Sequence, residues 1–181
     1  MKKITLTIML AAVTVICLAG CSNAPKMSDK FPGTKDGAKA LLQEFMKPGA
    51  DNKKLTMELQ PSKEDYRAFF KDQAIADRAA EQYDKMWSSG NAVVAPKAGQ
   101  TELRLFSATT EELTSYAGES GEFPGGLIGS SAGEYLKPNL TIYAFKFVEP
   151  GEKLGMAYEG LTHINGHWRL FPKPWQFAKE K

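Results

Sequence analysis

The apolar pattern changes character along the chain. Residues 4–19 are an apolar run broken only by Thr5, Thr7 and Thr14. Beyond residue 34, apolar positions recur at spacings of three and four, as one face of a helix requires. Ala38, Leu41, Leu42 and Phe45 form the first such stripe, and Pro48-Gly49 stops it. Leu55 and Leu59, with Met57 between them, favour a helix over residues 51–60 while leaving a strand open; Pro61-Ser62 ends that segment. Ser62 with Asp65 three residues on resembles a capping box ahead of Tyr66, Phe69 and Phe70. The longest helix is predicted over residues 72–88. It buries Ile75, Ala79, Tyr83, Met86 and Trp87 and turns Asp77, Arg78, Glu81, Asp84 and Lys85 to water, with Glu81 and Lys85 a favourable i,i+4 pair. Gly90-Asn91 closes it.

The second half shifts to a period of two. Leu103 and Leu105 alternate with Glu102 and Arg104, predicting a strand. Thr109-Thr110-Glu111-Glu112 fits a capping box for a short helix ending near Gly118, and the Gly-rich residues 118–133 read as irregular. Residues 140–148 are apolar on both faces, as a central strand is. Pro150-Gly151 turns the chain, and residues 155–164 and 167–171 flank Asn165-Gly166, the dipeptide of a type I′ hairpin. Helices first and a meander last define an α+β class, with N-terminal helices packed on a curved antiparallel sheet.

The opening segment carries a different signal. Met1-Lys2-Lys3 is basic, the apolar run follows, and small residues precede a Cys, which together make a secretory leader. The run is marginal as a membrane span, which needs about 20 apolar residues. Leu18-Ala19-Gly20-Cys21 resembles the lipobox of bacterial lipoproteins. That resemblance implies diacylglycerol on Cys21, cleavage between Gly20 and Cys21, and a further acyl chain on the new amino terminus. Several acyl chains, at about 0.8 kcal/mol per buried CH₂, hold a domain to a bilayer far more firmly than one does. Ser22, not being Asp, implies sorting to the outer membrane, periplasm-facing, in a Gram-negative cell; otherwise the domain lies on the outer face of the plasma membrane. The expected organisation is residues 1–20 as the removed signal peptide, 21–33 as lipidated Cys and flexible tether, and 34–181 as one domain. The polar tether, with two prolines, would reach roughly 40 Å from the bilayer at about 3.3 Å per residue.

Charge and cysteine content narrow the partners. Removing Lys2 and Lys3 from the 23 basic groups balances them against the 21 acidic ones, so electrostatics make no case for nucleic acid or an anionic surface. Of the two Cys, Cys17 leaves with the signal peptide and Cys21 carries lipid, so the exported domain depends on its core without a disulfide.

Candidate chemistry is sparse. Gly129-Ser130-Ser131-Ala132-Gly133 matches the G-x-S-x-G expression of a nucleophile elbow, with Ser131 as the nucleophile. That chemistry needs a preceding strand and partners, which here would be His163 or His167 with a Glu; the competing reading is a flexible surface loop. No G-x-x-x-x-G-K-[ST] phosphate cradle is present. Across the hairpin His163 pairs with Trp168 and Ile164 with His167, so the two imidazoles take opposite faces and cannot share an ion. We expect neither metal nor cofactor. His163, Trp168, Leu161 and Leu170 are assigned to the core face, and Thr162, His167, Arg169 and Phe171 to the other. Trp168, Phe171, Trp175 and Phe177 either clamp the chain end or line a pocket.

Helical segments leading into a meander that ends Ile164-Asn165-Gly166-His167-Trp168-Arg169-Leu170 also resemble nuclear-transport-factor-2-like or cystatin-like domains. Such domains can form a pocket between sheet and helices. The expectation is a lipid-anchored envelope lipoprotein acting as a non-catalytic binding or assembly module, held to the membrane through acyl chains on Cys21 and meeting an envelope protein partner. The alternative is an enzyme with a sheet–helix pocket using His163 or a Ser131-centred hydrolase site.

Overall fold

A computed structural model describes residues 26–178. The expected signal peptide, Gly20, Cys21 and residues 179–181 lie outside the described residues, so the expected cleavage and lipid-attachment positions are not part of the fold seen. The chain is α+β. Helices α1 (Lys35–Glu44), α2 (Asn52–Glu58), α3 (Lys63–Phe69) and α4 (Gln73–Ser88) precede strand β1 (Glu102–Thr109). Helices α5 (Thr110–Ser115) and α6 (Ser130–Tyr135) intervene before β2 (Thr141–Val148), β3 (Gly155–Ile164) and β4 (His167–Leu170), and α7 (Trp175–Ala178) follows.

Capping sets the helix starts. Thr34 accepts from the Gly37 N–H at 3.1 Å and Asp51 from Lys54 at 3.0 Å. Ser62 with Asp65, and Thr109 with Glu112, close reciprocal capping boxes. Each satisfies N–H groups that a helix start leaves without an internal partner. The buried stripe of α4 runs Ala76, Ala79, Ala80, Tyr83 and Trp87, while Ile75 and Met86 are only partly buried. The face is rotated from the expected one, and α3 and α7 pack against α4.

The sheet has order β1-β2-β3-β4, antiparallel throughout. Asn165 and Gly166 take φ of 52° and 83°, the positive values of a type I′ turn, and Ile164 pairs with His167 and His163 with Trp168. β2 lies between two strands, and both of its faces are buried: Tyr143, Phe145 and Phe147 on one, Ile142, Ala144 and Val148 on the other. A bulge between Tyr143 and Ala144 resets the β3 register at Gly160, whose φ of 85° and close approach to the Phe171 carbonyl leave no room for a Cβ.

Elements cover both faces of this sheet. Trp168 and His163 meet residues 31–33 on one side, and the Tyr158 hydroxyl exchanges hydrogen bonds with the backbone of Ala95 at 3.0 Å. On the opposite side Phe171 stacks on Phe69 of α3 with centroids 3.9 Å apart. The face opposite the expected core face is therefore interior as well: Arg169 and Phe171 are buried.

Two segments depart from expectation. Residues 118–133 include short 3₁₀ turns at Ser120–Glu122 and Gly125–Leu127 and the first turn of α6. Gly129, at φ 86°, reverses the chain, and buried Ala132 and Tyr135 fix the helix behind it. The flexible tether expected to reach Gly33 is fixed from Met27 onward. Met27 and Ser28 are buried in a 3₁₀ turn at Met27–Asp29, and Phe31 packs on the core.

Candidate functional site

Residues 26–33 form a strap across the β4 edge of the sheet. The Met27 N–H donates to a Glu58 carboxylate oxygen at 2.6 Å, and the Trp168 indole N–H donates to the Phe31 carbonyl at 3.0 Å. Ser28 Oγ accepts from Arg169 Nη1 at 3.3 Å. Gly33 is pressed so closely to the His163 ring that a Cβ there would overlap Nδ1. Polar sequence with two prolines concealed this; the signals that mark a packed segment are Met27 and Phe31, apolar residues in an otherwise polar stretch.

Behind the strap lies a buried polar cluster centred on Asp65, whose side chain is 1% exposed. Oδ2 accepts from Arg169 Nε at 2.8 Å and from the Ser62 N–H at 2.9 Å. Oδ1 accepts from Asn165 Nδ2 at 2.8 Å and is 3.0 Å from His167 Nε2. The Arg169 guanidinium also donates to the Glu58 and Trp168 carbonyls at 3.2 and 3.0 Å. One carboxylate thus caps α3, closes the hairpin turn and anchors the arginine that holds the strap. Burial alone would raise the Asp65 pKa, but the Ser62 N–H and the His167, Asn165 and Arg169 side chains outweigh it and bring it down to about 2.

Below the ordinary value of 3.8 the unfolded chain takes up a proton that folded Asp65 resists, so its stabilisation is complete above that pH and is lost towards about 2. Unfolding midpoints measured between those limits should fall more steeply with acid for the native chain than for Asp65→Asn. Parallel profiles would remove Asp65 from the acid transition.

The histidines occupy opposite sides of the hairpin. His163 packs edge-on against Trp168 with centroids 5.1 Å apart, and burial, reinforced by His167, lowers its pKa. His167 turns to Asp65. No group of metal-ligating side chains gathers among the described residues.

Ser131 is elsewhere. It is exposed in the first turn of α6 and lines a cleft of about 680 Å³ with Asp72, Arg78, Gly126, Glu134, Tyr135 and Trp175 among its walls. The Tyr135 hydroxyl donates to the Gly126 carbonyl at 2.7 Å, and Gly126 lies flat against the Trp175 indole, where a Cβ would overlap the ring. Arg78 Nε donates to the Phe177 carbonyl at 3.2 Å. A 3₁₀ turn, not a strand, precedes the Gly129–Gly133 motif, and neither His163 nor His167 is a cleft wall. Ser131 and the histidines, placed in different elements, form no nucleophile–base pair in this arrangement. What the cleft offers is an aromatic wall flanked by carboxylates and a guanidinium, chemistry for holding a polar molecule. Trp175, expected in a clamp or a pocket, meets Asp72, Arg78 and Glu134 here, residues that no local pattern links to it.

The aromatic tail does both things. Phe177 closes on Tyr83 with centroids 4.4 Å apart, and the Tyr83 hydroxyl donates to the Pro172 carbonyl at 2.8 Å, while Trp175 faces the cleft. Glu159, on the sheet nearby, has its pKa raised by burial, partly offset by the Lys173 backbone and charge.

No family model, curated protein or solved structure matches the chain. No helix among the described residues is long and apolar enough to cross a membrane.

Proposed function

We propose that this chain is a lipid-anchored lipoprotein of the cell envelope whose domain acts as a non-catalytic binding or assembly module. In a Gram-negative cell it faces the periplasm from the outer membrane; otherwise it sits on the outer face of the plasma membrane. The lipobox Leu18-Ala19-Gly20-Cys21 supports the anchor. The observation that carries the reading is the hydrogen bond from the Met27 N–H to Glu58, which ties the chain into the domain only six positions beyond Cys21. Five extended residues from Cys21 to Lys26 span at most about 17 Å, so the acyl chains would hold the domain close to the lipid headgroups. A binding role is favoured over the hydrolase reading because the cleft sets polar groups around an aromatic wall, while Ser131 and the histidines stand apart. Kinship with nuclear-transport-factor-2-like or cystatin-like domains belongs to the same proposal, resting on helices that lead into a meander.

The anchor is tested with Cys21→Ser in cells fed a clickable palmitate. The expected result is loss of label and accumulation of the leader-bearing precursor. An unchanged mature band would refute the anchor.

A further inference from the structure

We propose that the open edge of β1 docks a second copy of this chain, the two β1 strands pairing antiparallel about a two-fold axis at Leu103. This goes beyond the membrane-anchored reading and does not depend on lipidation.

The two edges of the sheet are treated differently. At β4 the Leu170 N–H donates to the Leu59 carbonyl at 2.9 Å and the Trp168 carbonyl accepts from Arg169. At β1 the Thr109 N–H donates to Glu112 at 2.7 Å and the Ser107 N–H to Glu119 at 2.8 Å, with Glu119 itself held by Lys35 at 2.7 Å. Backbone groups alternate in direction along a strand, so those of Leu103 and Leu105 point outward like those of Ser107 and Thr109. They meet no partner among the described residues. Natural edges are usually blunted by proline, a bulge or an inward charge. β1 has no proline, and its register against β2 is unbroken from Glu102↔Val148 to Thr109↔Thr141. Leu103, Leu105 and Phe106 are half-buried along it.

Charge selects the occupant and the register. A two-fold pairing must set outward-pointing residues opposite one another. Centring it at Arg104 would place Arg104 against Arg104, and centring it at Leu105 would place Leu103 against Ser107, whose amide Glu119 already occupies. Centring it at Leu103 places Glu102 opposite the partner's Arg104, and Arg104 opposite the partner's Glu102. Leu103 then exchanges backbone bonds with its own copy, and Thr101 faces Leu105 on either side. Opposite charges directly across a strand pair stabilise it, and like charges oppose it. The interface is isologous and closes at two copies, giving one continuous sheet. A two-fold axis normal to that sheet keeps both straps on the same side, because residues 31–33 lie on the Trp168 face in each copy.

The test uses the full chain in the producing cells, without fractionation. A hydrogen-bonded antiparallel pair holds Cα atoms about 5.5 Å apart, inside the range a disulfide spans. Leu103→Cys oxidised with copper phenanthroline should give a dimer on a non-reducing gel, whereas the parent chain and Ala157→Cys, exposed on β3, should not. On the Leu103→Cys background, Glu102→Arg or Arg104→Glu should each reduce the dimer about tenfold, and the two together should restore it. The proposal is overturned if Leu103→Cys crosslinks no better than Ala157→Cys, or if the double exchange fails to restore the band. Crosslinking to a different protein would mean that the edge takes a foreign strand, and that also overturns it.

Discussion

Asp65→Ala is expected to lower the unfolding free energy by about 3–5 kcal/mol, the range found when one partner of a buried ion pair is removed. Exposed pairs are a poor guide to this site. Lys85 and Glu81 are 3.6 Å apart with side chains three-quarters exposed, a setting worth at most about 1 kcal/mol. Asp65 and Arg169 are instead enclosed, and truncation leaves the guanidinium buried without its counter-charge while also removing the N3 partner of the α3 cap. Urea unfolding should show a lower midpoint at unchanged slope. Because Arg169 holds Ser28, amide exchange at residues 27–29 should accelerate beyond the global loss. A double change to Asp65→Leu and Arg169→Met, which removes both charges, should recover part of the deficit. A shift under 1 kcal/mol for Asp65→Ala would show that the cluster is not what holds α3 to the hairpin.

Phe171→Ala should cost a comparable amount, about 3–5 kcal/mol. Its ring stacks on Phe69 and meets Tyr66, Phe70 and Tyr83 edge-on, with centroids at 5.7, 6.4 and 6.4 Å. The cavity would open among aromatic rings fixed from several elements, which limits collapse. Phe171→Leu should lose less than half as much, and equal losses from Leu and Ala would shift the cause from lost volume to lost ring contacts. Thermal or urea denaturation of the three proteins measures the difference.

Much of the fold could be read from short stretches of chain because it is determined locally. The boxes at Ser62 and Thr109, the hairpin at Asn165-Gly166 and the two-sided burial of residues 140–148 each depend on positions within a few residues of one another. Asp65 shows where that stops. As an N3 residue it was visible from Ser62, but its bond to Arg169 joins positions 104 apart, and no periodicity encodes such a contact. Alternation places Arg169 opposite the expected core face, but it separates two sides of a strand without telling whether both are covered. The cleft was illegible for the same reason, since α4, α6 and the chain end meet there only in three dimensions. Ser131 stood out in the sequence through a five-residue expression, yet its surroundings lack the strand that gives the expression its chemistry.

The strap also makes the fold a mechanical element. A pull applied at Lys26 would load the Met27 amide and then the Ser28–Arg169 and Phe31–Trp168 contacts. Tension from the proposed anchor would therefore register at the hairpin, and yielding of these few bonds would release extra leash before the sheet itself gave way.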